Sequence, residues 1–164
     1  MRFRMKTKLA RTYLLLAALS TAASLSAFAA NRTLGTYKLN IAKSSYKPPP
    51  NPVQDLTVTR ELTSGGITQT TDGSLAGNVP FHASYTTKGD GAEVSVTGNA
   101  PFNTIAVKQV DANTITDQRM NATGPYRASG QTVFTHRGNT MTVTIKGING
   151  AGKEFTQILV FEKQ

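Results

Sequence analysis

The chain has 164 residues, with 18 Lys and Arg against 9 Asp and Glu, a net charge of +9, and no cysteine. Without cysteine, disulfide staples, thiol catalysis, thioredoxin-like redox chemistry and cysteine-ligated zinc or iron–sulfur centres are excluded. Packing and sheet hydrogen bonds must hold the fold.

The first residues carry Arg2, Arg4, Lys6, Lys8 and Arg11 and no acid. An apolar run follows from Tyr13 to Leu19 and continues to Ala27, interrupted by Ser20, Thr21, Ser24 and Ser26. Ala27-Phe28-Ala29 then places small residues at the two positions a signal peptidase reads. This is the layout of a secretory signal, and cleavage is expected after Ala29. A transmembrane anchor needs about 20 predominantly apolar residues, and the hydroxyl residues dilute this run. No cysteine marks a lipid attachment, and no Arg-Arg pair marks the twin-arginine route. Residues 1–29 are thus expected to be a signal peptide and 30–164 a single domain, periplasmic or secreted, with no stable membrane anchor. Cleavage removes five bases and leaves 13 against 9 acids, a net charge of +4. Those bases are scattered, so the concentrated footprint of a nucleic-acid binder is missing. A domain of this length can bury a core of its own and is expected to be monomeric.

Beyond residue 30 the chain is rich in Thr, Val, Ile, Tyr and Phe, punctuated by Gly, Asn and Asp, with no helical period. Leu56, Val58, Arg60 and Leu62 share one parity, as do Val79, Phe81, Ala83 and Tyr85. Met141, Val143 and Ile145 share another, and Phe155, Leu159 and Phe161 a fourth. Such alternation buries one face of a strand and wets the other. Turns are expected at Gly65-Gly66, Asp72-Gly73, Gly89 to Gly91, Asp111 to Asn113, Asn121 to Gly124, Arg137 to Asn139 and Asn149-Gly150. The predicted strands are 35–41, 54–63, 66–72, 79–87, 92–97, 103–110, 113–120, 125–136, 139–147 and 154–162. Ser129-Gly130 reads as a bulge or bend in its strand. Lys47-Pro48-Pro49-Pro50-Asn51-Pro52 cannot join a central strand and reads as a stiff connector. Short connections throughout favour closure, which removes sheet edges. The expected fold is all-β: an antiparallel up-and-down β-barrel of about 8–10 strands, whose lumen can hold a small ligand.

Gly35-Thr36-Tyr37-Lys38-Leu39-Asn40 resembles the opening Gly-x-Trp strand of the calycin superfamily, with Tyr37 in place of the tryptophan. Ile158 to Gln164 resembles the last strand of fatty-acid-binding proteins within it. Gly35 to Tyr46, Val96 to Ile115 and Asn139 to Gln164 also resemble a group of small exported bacterial proteins of unassigned function. The resemblance implies a lipocalin-like barrel. It does not extend to the Arg-x-Tyr carboxylate clamp of fatty-acid-binding proteins, because Leu159 and Phe161 stand at those positions. Nor does it extend to a helical lid, which the proline-rich connector replaces.

Catalytic and metal signatures are weak. His82 and His136 are isolated, against the three or four convergent ligands a metal needs, and His82 has the parity expected to face outward. There is no Gly-x-Ser-x-Gly elbow, and no cofactor signature. Asp72 and Asp111 are explained as turn residues that bond their own backbone. Arg60 either enters the lumen, where it could pair with an anionic ligand, or reaches solvent from a strand end. Tyr37, Tyr85, Tyr126 and Phe81 are the candidate lining residues. The expected function is non-catalytic binding of a small, largely apolar molecule. The alternatives are an interaction module with a side-chain-filled barrel, and an enzyme using the lumen.

Overall fold

The computed structural model describes residues 32–164; the expected signal segment lies outside the described residues. The elements are β1 (Gly35–Leu39), β2 (Ser45–Lys47), β3 (Val53–Thr63), β4 (Gly66–Leu75), β5 (Val79–Thr87), β6 (Asp90–Ser95), β7 (Thr97–Gly98), β8 (Thr104–Gln109), β9 (Thr114–Met120), β10 (Arg127–Thr135), β11 (Thr140–Ile148) and β12 (Glu154–Lys163). Two 3₁₀ turns, Ile41–Lys43 and His136–Gly138, interrupt them. The sheet order β6-β8-β9-β10-β11-β12-β1-β3-β4-β5-β7 is an antiparallel meander whose last strand returns to its first. Eleven strands lie on this path, one more than the upper end of the sequence expectation.

The extra strand comes from a single line of chain, residues 90–98, split at Val96. Its first part, β6, pairs with β8, and its second, β7, pairs with β5. The barrel is therefore nearly closed, and the β5–β7 seam is only two residue pairs long, Ala83↔Gly98 and Ser84↔Thr97. β2 also escaped the sequence pattern. It continues the line of β1 along β12 after the 3₁₀ break, pairing Tyr46 with Gln157. At the break the Ser44 hydroxyl accepts from Val160 N at 3.0 Å and donates to Asn40 O at 2.8 Å. A side chain thus fills the gap that the turn leaves in the ladder. Of the proline-rich connector, Lys47 ends β2, Pro48 to Pro50 are bends, and Asn51 and Pro52 lie outside the sheet.

Two expected irregularities move. Asp72-Gly73 is not a turn: β4 runs through it, and the chain reverses at residues 76–78. Gly73 serves a β-bulge at Val53/Asp55 on the neighbouring strand, because a Cβ there would lie 2.0 Å from Asp55 O. That bulge also shifts the parity of β3, so Val53 and Leu56 both point inward. Gly130, in turn, marks no bulge. β10 keeps unbroken register with both β9 and β11.

The inward faces form one core that includes Tyr37, Val58, Ile105, Phe134, Met141 and Phe161. Residues 32–34 cover one end of the barrel. Thr33 is buried there, and Arg32 O sits so close to Gly138 that a Cβ would approach it to 2.2 Å. Leu62, which has inward parity, lies beyond this end and is 64% exposed. The opposite end carries the β4–β5 and β11–β12 hairpins and the loop of Pro101 and Phe102.

Candidate functional site: the barrel lumen

Between the covered end and the open one lies a cavity of about 330 Å³. Leu56, Val58, Val107, Val143 and Leu159 give it apolar walls. Four aromatic rings hold its mouth. Tyr46 stacks on Phe155 (5.8 Å between centroids), Phe155 meets Tyr126 (5.9 Å), and Tyr126 stacks on Phe102 (5.7 Å). A second, more open groove lies beside Lys47, Pro48 and Lys146.

Polar groups enter the lumen in two sets. Arg60, Gln69 and Tyr85 are cross-strand neighbours in one row of β3, β4 and β5. Arg60 is 5% exposed, so it enters the lumen instead of reaching solvent. Its Nε donates to Thr33 O at 3.0 Å, its Nη1 donates to Gln69 Oε1, and its guanidinium lies 5.3 Å from the centre of the Phe134 ring. Burial lowers the Arg60 pKa, partly opposed by Tyr85 and Tyr37. Burial likewise raises Tyr85, against the pull of Arg60 and Arg119.

The second set is Asp117 and Arg119 on β9, which sequence reasoning passed over. Arg119 donates from Nε to Asp117 Oδ1 at 2.6 Å and from Nη2 to Oδ2 at 3.2 Å. Its guanidinium also lies 5.4 Å from the Phe102 ring. Burial disfavours the charge on Arg119, but the field and hydrogen bonds of Asp117 outweigh it and raise its pKa above the ordinary arginine value. Gly130 lies directly opposite Asp117, and a Cβ there would fall 2.3 Å from Asp117 Oδ2. The glycine is the space the carboxylate occupies. The signal was present in the period: Ile115, Asp117 and Arg119 share one face of a strand whose Ile115 is plainly inward.

Of the sequence candidates, Arg60, Tyr85, Tyr126 and Phe81 line the cavity. Tyr37 does not. It is fully buried near the covered end, edge-on to Phe134 at 5.9 Å, with Lys163 Nζ 5.6 Å from its ring and its hydroxyl 3.4 Å from Arg32 O. Its pKa is raised by burial, opposed by Arg60. His82 is outside, bonded through Nδ1 to Asp72 Oδ1 at 2.6 Å. Among the described residues no three His, Asp or Glu converge as a metal set would.

Fold and site together define a nearly closed antiparallel barrel with an apolar lumen and a few fixed polar groups inside. No family model matches the chain, and no curated protein matches it.

Proposed function

We propose that this protein is an exported, lipocalin-like binding barrel, periplasmic or secreted, that holds a small and largely apolar molecule without transforming it. The observation that carries the reading is the hollow lumen. A cavity of about 330 Å³, mostly apolar, with a few convergent polar groups, has the size and composition of a small-molecule site. The same hollow argues against the interaction module with a filled interior. A catalytic reading has less support: Asp117, the one lumen carboxylate among the described residues, is committed to Arg119, and both histidines lie outside the lumen. Export rests on the basic, apolar and small-residue order of residues 1–29.

The test is fluorescence titration with the neutral probe N-phenyl-1-naphthylamine. Saturable binding is expected, weakened about tenfold or more by Val107→Phe, which fills the lumen. Circular dichroism checks that the variant keeps its sheet. No saturable binding of this probe or of its sulfonated analogue to the wild type, or equal binding to a folded Val107→Phe, overturns the reading.

A further inference from the structure

Among the described residues, the lumen lining holds two guanidiniums and one carboxylate. Asp117 is held by Arg119 through both carboxylate oxygens, so its charge is already matched. Among the described residues no acid pairs with Arg60. Its bonded partners are a backbone carbonyl and an amide oxygen, both neutral, and Phe134 adds the face of a ring. No carboxylate is among the groups that perturb it. The two bonds engage Nε and Nη1, and the Arg60 side chain lines the cavity. A buried cation without a counter-charge is costly, and this one is fixed in place by three contacts at the covered end. The apolar walls and the ring-lined mouth lie on the other side.

We propose that the lumen selects amphipathic anions: a carboxylate, sulfate or sulfonate head docks against the Arg60 guanidinium at the covered end, and an apolar body extends toward the mouth. Gln69 orients the guanidinium through Nη1, and Tyr85, beside it in the row, offers a neutral hydroxyl to the same head. Arg119 takes no part, because Asp117 already occupies it. The inference rests on the lumen being a ligand site and adds the ligand's charge and polarity.

Two fluorophores differing by one sulfonate provide the test: 8-anilino-1-naphthalenesulfonate and neutral N-phenyl-1-naphthylamine. Arg60→Gln is expected to weaken the sulfonate about tenfold or more beyond any change it makes to the neutral probe, as for loss of charge-assisted hydrogen bonds. Arg60→Lys should restore part of the difference. Because the ion pair is buried, sulfonate affinity for the wild type should change little between about 0.02 and 0.5 M salt, whereas binding to surface lysines would collapse. In the wild type, decanoate should displace the sulfonate at least about tenfold more effectively than its methyl ester, a comparison that holds even where the Arg60 variants do not fold. Neutral-probe binding with no carboxylate preference, or a steep loss of sulfonate affinity with salt, overturns the anion inference and leaves the binding barrel standing. Failure of both probes to bind overturns the barrel reading itself.

Discussion

Asp117, Arg119 and Gly130 form one unit, in which the missing side chain matters as much as the two charged ones. A buried ion pair contributes little net stability when intact, yet removing one partner leaves a charge uncompensated, at a cost of about 3–5 kcal/mol. Asp117→Ala should therefore destabilise the barrel by about that much in urea unfolding. Gly130→Ala should cost about 2 kcal/mol, because the new methyl group must displace a carboxylate clamped by two hydrogen bonds. In the double variant the methyl group finds open space, so the two losses should sum to less than their separate values. Additive losses, or a Gly130→Ala protein as stable as the parent, would show that the carboxylate does not fill the glycine's place.

At the scale of elements, two carboxylates pin the ends of strands from outside. Asp111 accepts from Asn113 N at 2.7 Å in the β8–β9 turn, and that bond, with help from Thr114, lowers its pKa. Glu162 on β12 accepts from Lys43 at 2.8 Å and Asn40 at 3.0 Å in the 3₁₀ turn after β1, and its pKa falls for those reasons. Each binds its proton more weakly folded than unfolded, so each contributes stability above its ordinary value, 3.8 for Asp111 and 4.5 for Glu162, and loses it as pH falls further. Asp111→Asn and Glu162→Gln should each flatten the acid limb of a plot of Tm against pH; limbs parallel to the wild type would refute this. The Asp111 turn was legible in sequence because an Asx turn is local chemistry. So were the inward faces of β11 and β12, where Met141, Val143 and Ile145, and Phe155, Leu159 and Phe161, recur at even spacing and are buried. Val79 of β5, by contrast, has the same parity as buried Ala83 yet is exposed at its strand end. Asp72-Gly73 was misread because the glycine answers a bulge on another strand, which no local pattern records. For the site, the parity of Arg60 was visible but its burial was not, since that depends on the segment of Thr33 covering the end of the barrel. Tyr37 shows the converse: its aromatic character suits a lining, but its ring is fully buried edge-on against Phe134 and leaves no face to the cavity.

For the molecule as a whole, resistance to opening is unequal around the circumference. β10, β11 and β12 share nine-pair ladders, whereas the β5–β7 seam has two. The seam also depends on Gly98, where φ is +109° and a Cβ would lie 2.1 Å from His82 O. Gly98→Ala should part it, raising hydrogen exchange about tenfold or more at residues 82–84 and 97–99 while leaving Thr132 and Val143 protected. Uniform exchange around the ring, or an unchanged seam, would contradict this account. The junction of β12 with β1 carries a different consequence. One edge of β1 pairs with nearby β3, but the other finds its partner only in the last strand, where Tyr37 pairs with Lys163. Loop-closure entropy on that scale must be met before the pairing stabilises anything, and such long-range topology places folding in the range of milliseconds to seconds. A chain still lacking its last strand would present two bare edges, on β1 and on β11, each a template for a neighbouring molecule. The period before the final strand docks is therefore when this protein is most exposed to aggregation.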